Sequence, residues 1–417
     1  MAYARLAAAY NNLDERERAS EYAMEAFLRR NRVGEREKFY IASTYYNYVT
    51  GEIERARENY ELWKQNYPRD PLPRANLSYI YMNLGRFERA AMEASDALRL
   101  DPSYAMSQWF LAQAYLGMNR FQDARKACRT AIAQGMDNVS VRVRLYWLGF
   151  IEGDQAEMGN QIEWARNNPD RGHWIVFAQA QAFAFSGKLQ SAHQAYDTAI
   201  RLAQTYKYQE NAALIEAEQA TVEAELGDRG RAATTAASAV RRSRSRDPLG
   251  LASIAWAGVG AVGTAQAGIN ELLQRFPDDS RSRYFWSPTI NAVLALRAGE
   301  LRRAIDVLDA TIPYELWTEF PIGGELRPTY LRGLAYLKAK AGRQAAAEFE
   351  KIVERRGVAP VSVLYPLAHL GLARAAALNG DTATSRKAYE TLFELWHDAD
   401  PDLPLLREAR TEFQMLK

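Results

Sequence analysis

The chain has 417 residues, of which 48% are hydrophobic and 25% are charged, as in proteins that bury a continuous core. Its 53 basic and 51 acidic residues leave a net charge of +2, so no overall field attracts nucleic acid or an anionic membrane. One cysteine excludes an intrachain disulfide and a cysteine-rich zinc site. No apolar run approaches the roughly 18 residues of a membrane span, so we expect no membrane insertion by this chain.

The first residues already lie inside an apolar helical pattern. Leu6 and Tyr10 fall on one face of a helix, and Ala19, Ala23 and Ala26 follow on the next. The terminal helix of a stacked array usually has a polar outer face. We therefore expect Met1 to be an internal methionine of a longer polypeptide, which an in-frame upstream coding sequence would support.

A repeat with a single period covers residues 51 to 192. Small residues recur every 34 positions, and turn-forming residues precede each by five: Ala56, Ala90, Ala124, Met158 and Ala192 follow Gly51, Gly85, Asn119, Gly153 and Gly187. This is the length of the tetratricopeptide unit, two antiparallel helices joined by a short turn. Gly and Asn tolerate the positive φ of that turn, and a small side chain lets the helices approach. We predict a regular array over 1–204 of an all-α, right-handed solenoid.

Beyond residue 204 the pattern continues with a looser period. The small-residue positions lie 33 to 41 residues apart, at Ala232, Ala265, Ala304, Ala345 and Ser385. Extra residues in stacked repeats form loops on one face, and here they occupy 206–209, 278–288, 313–328 and 357–366. We predict repeats with longer inserts over 205–403 and a C-terminal capping helix over 404–417. The number of small-residue positions gives about eleven helix pairs.

Three passages carry a closer resemblance: EREKFYIASTYYNYVTGEIERARENYELWKQNYPRD (35–70), YLRGLAYLKAKAGRQAAAEFEKIVERRG (330–357) and LAHLGLARAAALNGDTATSRKAYETLFELWHDADPDLPLLREAR (367–410). They resemble the tetratricopeptide-rich C-terminal region of bacterial eukaryotic-like serine/threonine protein kinases, in order over nearly the whole chain. In that family a kinase domain and commonly a membrane span precede the repeats. The resemblance therefore implies an extracytoplasmic scaffold or sensor region of a membrane-anchored kinase.

The kinase domain itself is missing from the sequence. No HRD, DFG or VAIK-type lysine motif occurs, so the resemblance implies no phosphoryl transfer by this chain. Related helical regions also follow winged-helix transcriptional regulators. An effector or oligomerisation region of such a regulator, and a free-standing adaptor, therefore remain alternatives, and the oligomeric state is open.

The segment GVGAVG holds Gly258, Gly260 and Gly263 in the spacing G-x-G-x-x-G. A dinucleotide site needs a strand before these glycines, a helix after them and an acidic residue about 20 positions later. A helical pattern follows and Asp279 lies near that distance. The preceding LASIAWA, however, occupies the first-helix position of a repeat. We interpret the segment as a glycine-rich repeat turn.

The other reactive side chains form no recognised catalytic pattern. The four histidines lack the spacings of metal ligands, and Cys128 falls on a predicted core face. The basic run RRSRSR (241–246) is interpreted as a solvated helix end, with an anionic partner as the alternative. We expect no catalytic, cofactor or metal site.

The remaining candidate is a surface on the concave side of the array. Aromatic and polar residues of the first helices fall there in the repeat register, and such residues anchor interfaces. The predicted peptide-binding groove consists of Tyr45, Tyr48, Tyr79, Met82, Asn83, Trp109, Gln113, Trp147, Phe150, Trp174 and Phe177. Packing between adjacent repeats is the alternative role for each of them.

The expected occupant of the groove is a hydrophobic peptide or protein segment. Repeats that clamp a chaperone's C-terminal carboxylate carry Lys, Asn and Arg on the groove face. The corresponding positions here are Ile41, Tyr45, Met106 and Phe110. We further expect the regular half to hold the groove and the irregular half to dock on upstream domains of the same polypeptide.

Overall fold

The structure is a computed structural model that describes residues 1–13, 15–104, 106–319, 323–324 and 326–416. Within these ranges the chain forms 23 α-helices. They are α1 (Ala2–Asn12), α2 (Arg16–Leu28), α3 (Glu35–Tyr45), α4 (Ile53–Asn66), α5 (Pro71–Asn83), α6 (Phe87–Leu100), α7 (Met106–Gly117), α8 (Phe121–Ala133), α9 (Val139–Glu152), α10 (Gln155–Asn167), α11 (His173–Phe185), α12 (Leu189–Thr205), α13 (Gln209–Leu226), α14 (Arg229–Arg242), α15 (Arg246–Val259), α16 (Val262–Arg275), α17 (Ser287–Ala298), α18 (Leu301–Asp309), α19 (Arg327–Lys338), α20 (Gly342–Val353), α21 (Leu364–Leu378), α22 (Thr382–Leu395) and α23 (Pro404–Gln414).

The helices pack in consecutive pairs, from α1 with α2 to α21 with α22, and each pair packs on the next. The described residues therefore form eleven pairs followed by α23, which confirms the all-α solenoid predicted from the repeat. Helix α23 lies in the segment predicted to cap the array, of which Lys417 is outside the described residues.

Shorter elements interrupt the pairs. The π-helical segments Tyr46–Thr50 and Ser282–Trp286 adjoin α3 and α17, and 3-10 turns occur at Arg30–Arg32 and Ile312–Tyr314. Strands β1 (Thr318–Glu319) and β2 (Gly323–Gly324) pair antiparallel, with Thr318 opposite Gly324. They lie in the third predicted insert, whose residues 320–322 and 325 are outside the described part.

The turn residues of the repeat adopt the left-handed backbone conformation expected of them. Their φ angles lie between 57° and 72°, at Gly51, Gly85, Asn119, Gly153 and Gly187. The later turns follow the same rule, with positive φ at Gly227, Gly260, Gly299, Lys340 and Gly380. The turn geometry thus continues through the half of the chain in which the period varies.

The small-residue positions are buried between the helices of each pair, except at Met158, which is partly buried. Ala56, Ala90 and Ala192 have no exposed surface, and neither has Ser385, whose Oγ donates to the carbonyl of Ala373 at 2.8 Å. Small side chains at these positions allow close helix packing, and the core runs continuously through the array.

The glycine-rich segment GVGAVG is a repeat turn, as predicted. Gly258 lies in α15, Gly260 ends that helix with φ +92°, and Gly263 lies in the first turn of α16. A helix therefore occupies the place of the strand that a dinucleotide site requires.

The second half of the chain packs back against the turns of the first half. The amide of Ser280 donates to the carbonyl of Gly51 at 3.0 Å, and the amide of Asp400 donates to the carbonyl of Gly187 at 3.0 Å. At Gly85 a Cβ atom would overlap Leu316. These three second-half residues come from the predicted inserts or from the segment after the last pair.

Asn119 makes the same kind of contact through its side chain. Its Nδ2 donates to the carbonyl of Glu354 at 2.6 Å, and its Oδ1 accepts from the amide of Gly357 at 2.8 Å. By contrast, a Cβ at Gly153 would meet no described atom within 4 Å. Four of the five turns in the regular ladder are therefore covered by the irregular half.

Candidate functional site

A cavity of about 370 Å³ lies where the first repeats meet the second half of the chain. The first half contributes residues from α2, the π-helical segment and the end of α5, and the second half contributes the starts of α13 and α15 and strand β1. The lining is Asn11, Arg16, Glu17, Ala19, Ser20, Glu21, Asn47, Tyr48, Val49, Gly51, Ile53, Tyr79, Asn83, Glu210, Ser245, Arg246, Asp247, Arg275, Phe276, Asp279, Trp317 and Glu319.

The floor of the cavity is an ion cluster that joins the two halves. Arg16 of α2 bonds Asp247 at 3.0 Å and Glu319 at 2.7 Å, 231 and 303 positions away. Arg246 bonds Asp247 at 2.8 Å, Asp279 at 3.1 Å and Glu319 at 3.0 Å. Contacts of this sequence separation arise only when the chain winds back on itself.

Arg281 is the third arginine of the ion cluster. Its side chain has no exposed surface, and its Nη1 lies 2.6 Å from Glu319 and 3.4 Å from Asp247. The indole Nε1 of Trp286 also donates to Asp247 at 3.1 Å. Three arginines thus face three carboxylates, and removing one buried charge would reduce the compensation of the charges that pair with it.

The pKa shifts in the cluster follow from this arrangement. Burial alone would raise the pKa of Asp247, but Arg246, Arg281 and Arg16 together hold it well below its usual range. Burial likewise opposes ionisation of Glu319, and the same arginines still lower its pKa. Both carboxylates therefore stay ionised at neutral pH.

Three further carboxylates line the cavity outside this cluster. Glu17 and Glu21 are exposed one turn apart on α2, and Glu210 is half-buried at the start of α13. In the described part of the chain none of the three forms an ion pair. Desolvation raises the pKa of Glu210 to about 7, against the opposing effects of Arg16 and a hydrogen bond with Ser245. The part of the lining outside the ion cluster is consequently acidic.

The lining also contains aromatic side chains and one buried acceptor atom without a hydrogen-bond partner. The aromatic residues are Tyr48, Tyr79, Phe276 and Trp317. Asn83 is only 3% exposed, and its Oδ1 has no hydrogen-bond partner among the described residues. An acceptor buried in this state costs free energy unless a donor reaches it.

The structure places the eleven predicted groove residues in three environments. Tyr48, Tyr79 and Asn83 line the cavity. Five are buried within the helical core: Met82, Gln113, Trp147, Trp174 and Phe177. Three are partly buried in aromatic or cationic contacts: Tyr45 stacks on Phe27 at 3.8 Å, Arg144 lies over Trp109 at 4.9 Å, and Phe150 packs edge-on against Phe185 at 5.0 Å. Their role in binding stays a prediction.

The basic run at 241–246 matches the expected solvated helix end only in part, because Arg241 and Arg244 are exposed whereas Arg242 and Arg246 are partly buried. Arg242 pairs with Glu216 at 2.5 Å, Arg244 pairs with Glu271, and Arg246 belongs to the ion cluster. Apart from Asp247, which follows Arg246 directly, the carboxylates that bind these side chains lie 26 to 73 positions away. No local pattern in the sequence could have identified them.

The other reactive residues are parts of the core. Burial raises the pKa of the Cys128 thiol to about 12, so this side chain is an inert core thiol as predicted. Burial lowers the pKa of His173 to about 3, and its Nε2 contacts Asn211 Nδ2 at 3.3 Å. Over the described ranges, no three His, Cys, Asp or Glu side chains are placed to hold a metal ion. Within those ranges no helix is long and apolar enough to cross a membrane.

Comparison with known proteins agrees with the helix pairs. The family model described as "Tetratricopeptide repeat" matches residues 76–139 and 329–404. No curated protein sequence matches the chain.

The chain is also similar to several solved structures. Yeast Tom70 is 14% identical over 94% of this chain and 95% of its own, with a TM-score of 0.36. The P58(IPK) TPR domain is 13% identical over 92% and 98%, with a TM-score of 0.25. YrrB, described as a TPR protein with an unusual peptide-binding site, is 16% identical over 58% and 99%, with a TM-score of 0.23. By the match to the family model, the chain contains tetratricopeptide repeats, with one matched segment in each half of the all-α solenoid.

Proposed function

We propose that this protein is a non-catalytic scaffold that binds a protein or peptide segment at the cavity between its two halves. The observation that carries the proposal is the cavity itself, with Tyr48 and Tyr79 in its lining and an unpartnered acceptor on Asn83. Aromatic side chains with polar groups bury a large area at low entropic cost, and an unpaired acceptor favours a ligand that donates to it. Of the eleven predicted groove residues, these three contact the ligand in our proposal, and the other eight support them by packing.

A peptide selection tests this role even though the natural partner is unidentified. A library of random linear peptides displayed on phage is selected on the folded protein, and the affinities of enriched peptides are measured by fluorescence anisotropy. The Ser20→Trp variant fills the cavity from α2, where Ser20 is half-buried. Thr234→Trp places the same bulk on an exposed position of α14 and serves as control.

The expected result is a family of related peptides that bind the wild-type protein and the Thr234→Trp variant alike. Ser20→Trp should weaken their binding at least about tenfold, because the added ring occupies the space that the peptide needs. If no peptide family emerges, or if Ser20→Trp binds the peptides as well as wild type while remaining folded, the cavity is not a peptide-binding site.

We further propose that the repeats belong to a bacterial serine/threonine kinase, in an extracytoplasmic position. The assignment to a kinase rests on the sequence resemblance of the passages at 35–70, 330–357 and 367–410. The coding sequence upstream of Met1 tests it: a kinase domain and a membrane span would support it. A winged-helix domain would favour a transcriptional regulator instead, and an immediate stop codon would favour a free-standing adaptor.

A further inference from the structure

We infer that the cavity binds a cationic side chain, arginine or lysine, of the partner segment. This inference rests on the proposed function and specifies the chemistry of the ligand at the same site. It differs from the hydrophobic segment expected from the sequence, because the charges that decide it come from distant parts of the chain.

The charges lining the cavity favour a cation. Six acidic and three basic residues line it. Arg16 and Arg246 are fully engaged with Asp247, Asp279 and Glu319 in the floor. The remaining carboxylates of the lining are Glu17, Glu21 and Glu210, and none of the three forms an ion pair over the described ranges.

The third basic residue of the lining is held away from these carboxylates. Arg275 lies 3.6 Å from Glu271 and donates to the carbonyl of Arg244. Glu271 in turn binds Arg244 through two hydrogen bonds. The basic side chains at this rim are thus satisfied by their own acid and carbonyl partners.

The neutral part of the wall provides the remaining contacts that a guanidinium or ammonium group needs. Tyr48 and Tyr79 contribute aromatic rings to the lining, and the faces of such rings attract cations. Asn83 Oδ1 offers an unpaired acceptor to an N–H donor. An anionic or purely apolar group would leave this acceptor and the carboxylates uncompensated.

Binding of such a group should depend on pH through Glu210. The charged and titratable groups that face it from the neighbouring elements are Glu15, Arg16, Glu17 and Arg18 at the start of α2, Tyr206, Lys207 and Tyr208 just before α13, Asp247 on α15, and Arg242, Arg244, Glu271 and Arg275 across the adjoining surface. Because its pKa is about 7 in the free protein, Glu210 is largely protonated at pH 6. A bound cation favours the ionised form, so affinity should rise as the pH increases through 7.

The test uses two small probes that differ only in charge. Nα-acetylarginine amide and its uncharged isostere Nα-acetylcitrulline amide are titrated into the intact protein, and binding is measured by saturation-transfer NMR at pH 6 and pH 8. Proteins compared are wild type, Glu210→Gln, Ser20→Trp and Glu163→Gln, the last an exposed residue of α10 outside the cavity. Circular dichroism verifies that each variant is folded.

The arginine probe should bind wild type and Glu163→Gln, more tightly at pH 8 than at pH 6, while the citrulline probe does not bind. Glu210→Gln should weaken binding by about fivefold to tenfold and remove most of the pH dependence, because one partly desolvated charge is lost. Equal binding of both probes, or binding that Ser20→Trp leaves unchanged, would overturn the inference.

The enriched peptides of the phage selection separate this inference from the proposed function. Replacing their arginine by citrulline, or their lysine by norleucine, should lower affinity for wild type at least about tenfold. Peptides that bind the cavity equally well after the replacement would refute the cationic site and leave the peptide-binding role intact. Binding of the arginine probe without any peptide family would support the cationic site and remove the peptide-binding role.

Discussion

The two halves of this chain use one helix pair in different ways. In the regular half, residues 1–204, a period of 34 places a tight turn at a fixed interval. In the irregular half, the pairs keep the same buried small residues and left-handed turns but add inserts between them. The inserts contact the turns of the regular half, at Gly51, Gly85 and Asn119.

The regular period of one half and the inserts of the other half are complementary. A tight turn without a bulky side chain leaves the backbone accessible to another segment. An insert supplies the atoms that fill this space, as Leu316 does at Gly85. The inserts that break the period in the irregular half are thus the segments that cover the turns of the regular half. The candidate cavity lies at the end of this contact, where the turns are incompletely covered.

Breaking the ion cluster is expected to have the largest effect on the stability of the contact between the halves. Asp247→Asn removes one buried charge and should destabilise the fold by about 3 to 5 kcal/mol, because Arg246 and Arg281 lose a buried partner. The control is Asp306→Asn in the exposed Arg302–Asp306 pair within one helix, which should cost less than about 0.5 kcal/mol. Urea unfolding followed by circular dichroism compares them, and similar costs would show that the cluster does not hold the halves together.

A pair of glycines separates turn strain from the contact between halves. Gly85 and Gly153 have nearly the same φ, 68° and 72°, but only Gly85 faces a second-half residue. Ala at Gly153 should cost about 1 kcal/mol from the left-handed backbone alone. Gly85→Ala should cost about 1 to 3 kcal/mol more, because its Cβ overlaps Leu316. Equal urea midpoints for the two variants would contradict the contact.

Acid should weaken the irregular half through His369. Burial lowers its pKa to about 4, with a further contribution from Arg356, whereas the pKa in the unfolded chain is 6.5. The folded state therefore excludes a proton that the unfolded state binds, so its contribution is present above pH 6.5 and is lost as the pH falls toward 4.

His369→Gln should remove about 1 to 2 kcal/mol of the stability lost between pH 7 and pH 5. His397→Gln, at an exposed histidine of the same half, should leave that loss unchanged. Urea midpoints measured across the pH range make the comparison, and parallel pH profiles for wild type and His369→Gln would rule out this titration.

The smallest effect concerns one side chain of the ladder. Asn119→Gly keeps the left-handed turn but removes the two hydrogen bonds to Glu354 and Gly357, at a cost of about 1 to 2 kcal/mol. Lys340 has the same φ of 57° and is exposed. Lys340→Gly should therefore be neutral or slightly stabilising, since it only relieves backbone strain. Thermal melts suffice, and a stable Asn119→Gly variant would argue against this contact.

The helix pairs could be predicted because their determinants are local. A glycine at the turn and an alanine five positions later act within one unit, so the period predicts the fold, the turn geometry and the burial of Ala56 or Ala192. The same local determinants identify the segment GVGAVG as a turn.

The ion cluster could not be predicted, because its members are far apart in sequence and follow no shared period. Arg16 and Asp247 are separated by 231 positions, and Arg246 was visible only as part of a basic run. The inserts were recognised by length, but their contacts depend on how tightly the solenoid winds. The repeat register assigns the aromatic residues to the first helices, but the winding of the solenoid decides which of them, such as Tyr48 and Tyr79, reach the cavity.

The irregular half covers the turns of the regular half, and a zero-length cross-link can detect this contact. Lys188 Nζ lies 3.0 Å from the Asp398 carboxylate across the contact, and both side chains are accessible. Carbodiimide treatment followed by mass spectrometry of tryptic peptides should detect an amide between them, and Asp398→Asn should abolish it. If this amide is absent while the Lys64–Glu61 pair within α4 is joined, the two halves do not meet as described.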